Sequence, residues 1–436
     1  MTLYHEVNFD GLIGPTHNYA GLAIGNLASD RNKGATSNPR AAVLQGLAKM
    51  RALTKLGLRQ GFLPPQERPR LDILRAFGFQ GTDRQVIDAA ARVAPDLLAN
   101  CYSASSMWTA NAATVAPSID AEDGKVHFTA ANLAGNFHRS IEAAETARIL
   151  RHVFPDASRF AHHPPLPGGV HFGDEGAANH GRLAPSHSES GVHLFVYGED
   201  GEKFPARQKR AASEAVARNH QLSADRCIFA QQSRAALDAG AFHNDVVGVA
   251  NGNVLFLHEQ SFEDRDRAFA EIRAAAPFVE IVEASAADVS LGDAVSSYLF
   301  NSQLATLPDG SMALILPRET EENDAARAFV ERTVAGNGPI AAAHYFDVRE
   351  SMRNGGGPAC LRLRILLNEA ELSGMNQNFI LDDAAIDKLE AWAEAHYRDR
   401  LHPDDLKDPV FMQETFAALE ALTRILGMGS YYSFQR

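Results

Sequence analysis

SMRNGGGPACLRLRILLN, residues 351–368, ends in a run with a period of two. Leu361, Leu363, Ile365 and Leu367 fall on one side and Arg362 and Arg364 on the other, the pattern of a half-buried strand. Four further runs read as strands: KVHFTAANL from Lys125, GVHLFVYG from Gly191, NVLFLHE from Asn253 and SMALILP from Ser311. The five starts, ending with Cys360, are separated by 66, 62, 58 and 49 residues. Between them lie HRSIEAAETARILRHVF (138–154), ARQKRAASEAVARNHQ (206–221), EDRDRAFAEIRAAA (263–276) and NDAARAFVERTVA (323–335). Each has apolar residues at three- and four-residue spacing, which predicts amphipathic helices. A strand-plus-helix unit repeated about five times predicts a closed, propeller-like α/β arrangement in which every unit buries its face on its neighbours. An ordinary open α/β sheet stays as the alternative, because the spacing is irregular and the units share no evident identity.

Two helix-rich regions fall outside these units, at about 38–100 and 382–429. No low-complexity segment or long linker divides the chain, so residues 1–436 read as one α/β domain with two helical insertions. The chain is 45% hydrophobic and 22% charged, an ordinary globular balance, and its net charge of -13 argues against nucleic acid or an anionic membrane as partner. MTLYHEVNFDGLIG lacks the basic and apolar regions of a signal peptide, and no apolar run is long enough for a membrane helix. Three cysteines, Cys101, Cys227 and Cys360, suit a reducing cytoplasm.

Four stretches are too polar and glycine-rich for plain scaffolding: 11–29, 168–180, 241–253 and 354–364. Together they supply a thiol, a histidine and carboxylates, the parts of thiol-based nucleophilic catalysis. Cys360 follows three glycines and a proline, so backbone amides there can approach a bound molecule closely. As nucleophile it needs a depressed pKa or a neighbouring base; Cys101 and Cys227 read as small buried hydrophobes. His243 opens a His-x-Asp element in which Asp245 shares its face if the segment is extended. Glu175 sits in the glycine-flanked GDEG; alone, it reads equally as a turn carboxylate. A metal site built from His162, His163, His171, His180, Asp174 and Glu175 is the competing reading, but the spacings fit no zinc or iron pattern. No glycine-rich nucleotide motif is present.

Six stretches in order, NFDGLIGPTHNYAGLAIGNLAS (8–29), MWTANAATVAPS (107–118), GDEGAANH (173–180), PARQKRAASEAVAR (205–218), FHNDVV (242–247) and NGGGPACLRLR (354–364), resemble the N-succinylarginine dihydrolase family. The resemblance implies the fold of the guanidine-modifying superfamily, a five-bladed pseudo-symmetric α/β propeller (pentein) of ββαβ units, here with extra helices. It also implies hydrolysis of N2-succinyl-L-arginine with two waters to N2-succinyl-L-ornithine, two ammonia and carbon dioxide. No metal or cofactor is implied; the partner is a small-molecule substrate, and the assembly a homodimer.

Carried over by motif, the catalytic set is Cys360, His243 and Glu175. The substrate-binding set is the loop Ala20, Gly21, Leu22, Ala23, Ile24, Gly25, Asn26, Leu27, Ala28 and Ser29, with Asn111, His138, Arg139, Arg207, Asp245 and Asn354. The residue types suit the task. Carboxylates of Asp245 and Glu175 match the paired donors of a guanidinium, while Arg139 and Arg207 offer cations to the carboxylates of a succinylated substrate. Two other readings use the same residues: a deiminase or amidinotransferase acting on another guanidine, and a non-catalytic guanidine binder.

Overall fold

The computed structural model describes residues 2–169 and 171–436. Among them, fifteen strands form five sheets of three. Each sheet is built alike. β3 (Ala113–Ala116) and β4 (Val126–Ala130) pair antiparallel, and the chain then returns through the helix Ala143–Val153 to lay β5 (Phe160–His163) parallel to β4. A parallel neighbour requires such a crossover, and the helix covers the sheet as it makes it. The pattern recurs in β6 (His180–Leu183), β7 (Val192–Tyr197) and β8 (Cys227–Gln231) around the helix Arg210–Asn219. It recurs again in β9 (Gly248–Asn251), β10 (Val254–His258) and β11 (Glu280–Ala284) around Arg265–Ala275. A fourth copy is β12 (Gln303–Thr306), β13 (Met312–Pro317) and β14 (Ile340–Phe346) around Asp324–Ala335.

The fifth unit joins the two ends of the chain. β15 (Arg362–Asn368) pairs antiparallel with β1 (Tyr4–Gly11), in register from Tyr4 opposite Asn368 to Asp10 opposite Arg362. β1 then runs through the helix Pro39–Lys55 to a parallel β2 (Arg59–Leu63). The LRLRILL run is therefore an inner strand, whereas the other four runs are central strands; the true fifth centre is YHEVNFDG. This offset explains the short last spacing. It also corrects the first insertion: the stretch 38–100 carries the helix and outer strand of the fifth unit, and only Leu71–Ala76, Asp83–Val93 and Pro95–Cys101 are extra helices.

Local chemistry explains the helix that closes this unit. Asn38 caps it by accepting from the Ala41 amide at 2.9 Å, and Pro39 occupies the first turn, where its missing N–H is not needed. Val43, Leu47 and Met50 are buried at helical spacing against a core that includes Val7, Phe9, Leu363 and Ile365, and Leu53 is buried with Leu58, Ala305 and Ile315. Each such side chain contributes about 1.5–3 kcal/mol on burial. One charge shares that face: Lys49 meets Asp10 of β1 at 2.5 Å, both sealed from water. Removing either partner leaves a buried charge alone, at about 3–5 kcal/mol.

The first strands of the units turn toward one another: β6 packs on β9, β9 on β12, and β15 on β3. They therefore ring a common axis. The leucine face of β15 meets the core and its arginine face meets the axis, so the strand is covered on both sides rather than half-solvated as its alternation predicts. Arg362 is buried, 3.2 Å from Asn8 Oδ1 and 3.7 Å from Glu6 Oε1.

Candidate active site

Cys360 lies in the turn just before β15, 2% exposed. Asn301, from the segment between the helix Leu291–Ser297 and β12, holds the turn with both ends of its amide. Its Oδ1 accepts from the Gly357 amide at 3.0 Å and the Cys360 amide at 3.4 Å. Its Nδ2 donates to the Cys360 sulfur at 3.1 Å and to the Asp245 carbonyl at 3.3 Å. The glycines make this closeness possible. A Cβ on Gly356 would sit 2.2 Å from Trp108 Nε1, and Gly355, at φ +97°, leaves no room beside Asn26. Asn301 carried no motif in the sequence, because its role comes from a contact across 59 residues.

The thiol donates to Asp245 Oδ2 at 3.5 Å. Asp245 lies in a 3-10 turn, 244–246, and not in the extended segment expected; His243 precedes that turn in extended backbone. His243 Nε2 is 2.7 Å from Glu175 Oε2, and Arg139 Nη1 donates to the same oxygen at 2.6 Å. The backbone of Glu175 is held as well: its amide donates to Gln208 Oε1 at 2.6 Å, and its carbonyl accepts from Asn111 Nδ2 at 2.7 Å. The structure thus brings together Cys360, Asp245, His243, Glu175, Arg139 and Asn111, drawn from five separate stretches of chain.

The electrostatics differ from the expectation of a depressed thiol pKa. Burial, reinforced by the Asp245 carboxylate, pushes the Cys360 thiol well up, and the Asn301 donor only partly opposes this. Burial likewise raises Asp245 to about 7. His243 is pushed down to about 4 by burial, against the pull of Glu175. Burial opposes ionisation of Glu175, yet Arg139 and His243 together hold its carboxyl far below the usual range. At neutral pH the resting site is a thiol, a neutral imidazole and one firmly ionised carboxylate. Several buried polar atoms have no partner: Arg139 Nε and Nη2, Glu175 Oε1, His243 Nδ1 and Asp245 Oδ1. Unpaired buried polar atoms are rare and costly, and this concentration marks a polar ligand site.

The 20–29 loop arches over this set. Ile24, 60% exposed at its crest, receives the Arg207 Nη2 donor on its carbonyl, and its amide donates to Asn136 Oδ1 at 3.4 Å. Asn26 caps the helix Leu27–Arg31 through the Ser29 amide at 3.1 Å and donates to the Gly355 carbonyl at 3.0 Å. The loop is thereby tied to the cysteine turn, with Asn354 beside it as the cap of the helix Arg349–Arg353. Arg207 is buried with its guanidinium 4.7 Å from the centre of the Phe242 ring, and burial draws its pKa down to about 10. His138 is buried and held near 3 by burial and the Arg139 charge. Neither arginine is a solvated helix-face charge.

Three of the four histidines of the competing metal reading bond elsewhere, and the fourth, His171, is exposed. His162 bonds the Phe154 carbonyl at 2.8 Å, His163 bonds His127 at 2.9 Å, and His180 bonds His193 at 2.9 Å.

Five ββαβ units closed around a buried cysteine define a pentein-fold enzyme. The solved N-terminal domain of ArgZ, an arginine dihydrolase from cyanobacteria, shares this fold at a TM-score of 0.51 and 14% identity, over 83% of this chain and 97% of that one. AgrE, solved with ornithine and NAD+, gives 0.51 and 14% over 83% of this chain and 39% of its own. The family is narrower than the fold. A family model for succinylarginine dihydrolase matches residues 3–435. The chain is 54% identical to the N-succinylarginine dihydrolase of Nitrosospira multiformis, over 99% of both chains. It is 52% identical to that of Aeromonas hydrophila, over 99% of this chain and 100% of the relative. The chain belongs to the succinylarginine dihydrolase family.

Proposed function

We propose that the protein hydrolyses N2-succinyl-L-arginine to N2-succinyl-L-ornithine, two ammonia and carbon dioxide, with Cys360 as nucleophile. The observation that supports this most is the convergence of thiol, imidazole and two carboxylates around unpaired polar atoms, in a chain of this family. The guanidinium head docks on Asp245 and Glu175, whose free oxygens suit its planar donors. Docking fixes the central carbon near the sulfur, a positioning effect that contributes about 7–11 kcal/mol. It also brings a positive charge beside a thiol that burial and Asp245 otherwise hold protonated, so substrate itself favours the thiolate.

Attack of sulfur on carbon forms a tetrahedral adduct. The proton lost by the thiol is the one gained by the departing ammonia, with His243 as carrier. Water activated by His243 then cleaves the thiouronium, releases a ureido product and restores the thiol. In a second round the sulfur attacks the ureido carbon and a second ammonia leaves. Water cleaves the thiocarbamate, and the resulting carbamate loses carbon dioxide to leave the ornithine amine. Arg139, through its two free nitrogens, and Arg207, from the rim, take the substrate carboxylates, with His138, Asn111, Asn354 and the 20–29 loop completing the pocket.

The experiment is a stoichiometry: two ammonia per succinylornithine supports the reading, and one ammonia with a stable ureido product makes the enzyme a deiminase instead. We place the enzyme in the cytoplasm as a homodimer. Three unpaired cysteines and the acidic charge support the compartment. The family resemblance supports the dimer, which a sedimentation mass of two chains checks. Among the described residues no helix is long and apolar enough to cross a membrane.

A further inference from the structure

Beside the catalytic set lies a second polar chamber, which shares Asp245 with that set and carries arginines that the reaction above does not use. It is a cavity of about 100 Å3, walled by residues of β3, β6, β9 and β15 and therefore set on the propeller axis. Ala110, Ala177 and Ala359, each next to or near a residue of the catalytic site, floor it on one side. Its charge is unbalanced. Arg182 is matched by Asp120, through Nε and through Nη2 at 3.0 Å. Glu6 serves Arg362 at 3.7 Å, Asn251 at 3.0 Å and His187 at 3.4 Å. Asp245, which also lines the chamber, is directed to the Cys360 thiol. Arg364 has no ion pair of its own among the described residues: Nη2 donates to the Ala250 carbonyl, Nη1 is buried without a partner, and the acid whose charge reaches it is Glu6, shared with Arg362. Burial and the neighbouring charges of Arg362 and Arg182, against Glu6, lower its pKa to about 9, so it still carries its charge at neutral pH.

A half-buried cation that shares one carboxylate with a second arginine is under-compensated, and a planar guanidinium is shaped to take a carboxylate by two parallel donors. His187 Nδ1, on the same wall, is a further buried atom without a partner. We propose that this axial chamber binds a small oxyanion, a single carboxylate or bicarbonate, on the guanidinium of Arg364 with the His187 imidazole beside it.

The test is thermal unfolding of the full chain at constant pH and ionic strength, titrated with sodium formate or sodium bicarbonate against sodium chloride. In the wild type the midpoint rises by about 1–3 °C in a saturable way. Arg364→Gln abolishes the rise and Arg364→Lys keeps part of it. His187→Ala, on a partly exposed segment, folds normally and weakens the apparent affinity at least threefold. Arg207→Ala, which alters the substrate site, leaves the rise unchanged. A response to bicarbonate alone identifies the one-carbon product of the reaction as the source; an equal response to formate identifies carboxylates in general. The proposal is overturned by an equal midpoint in all three salts, or by a rise that survives His187→Ala at full affinity. It is also overturned by a rise that Arg207→Ala removes. Should Arg364→Gln not fold, the His187 and Arg207 variants decide.

Discussion

Around Cys360 the protein gathers a thiol, two carboxylates and the guanidiniums of Arg139 and Arg207; in the axial chamber it gathers three guanidiniums, with Asp245 common to both. The two chambers meet at Asp245, yet the free acceptors of the first suit a cation and the free donor of Arg364 in the second suits an anion. The difference lies in which carboxylates are already matched. Glu175 is shared between Arg139 and His243 and still has a free oxygen, whereas Asp120 is taken by Arg182 and Glu6 is divided between Arg362, Asn251 and His187, which leaves Arg364 without an ion pair of its own. Charge in a buried site is thus decided by pairing, and composition alone does not reveal it.

The comparison breaks most sharply at Cys360. Cys360→Ser is expected to lower ammonia release at least about a thousandfold while substrate still binds, since the nucleophile acts as one unit with its partners; near-normal turnover would sink the assignment. Glu175→Gln comes next. It frees the buried Arg139 and His243 together, so both activity and stability fall, the latter by about 3–5 kcal/mol in chemical denaturation. A variant of wild-type stability would show that Arg139 pairs elsewhere.

Asn301→Leu removes the sulfur's donor and the clamp on the cysteine turn. A roughly tenfold loss in kcat is expected, with the rising limb of the pH profile that reports thiol ionisation moved upward, because the lost donor is what lowers the thiol pKa. A loss without that movement would make Asn301 purely a scaffold. The smallest effect is on pH itself. Asp245, raised to about 7, accepts guanidinium only when ionised, so kcat/KM should rise as pH passes upward through about 7. Replacing Asp245 with Asn should flatten that limb at a lower plateau.

Much of this was legible in the chain. The five runs with helices between them carry the architecture, because a two-residue period and a 3.6-residue period are both local properties. Cys360, His243, Glu175 and Asp245 stood out because glycines beside reactive side chains are uncommon in scaffolding. Three things were not legible. The place of YHEVNFDG as the fifth central strand is hidden, since its partner lies at the far end of the chain. Asn301 was hidden inside an ordinary polar segment. The arginine face of β15 read as solvated, because alternation reports that two faces differ and not what covers each.

Taken alone, the amino-acid sequence determined which segments are helix or strand, which residues can act as nucleophile, base or acid, and the family that combines them. Tertiary structure alone decided that the two chain ends complete one blade, that the thiol rests protonated and that three arginines share an axis with only partial compensation. The physical reason is reach: backbone periodicity arises within a few residues, whereas burial, pairing and pKa depend on neighbours that only closure of the ring brings together.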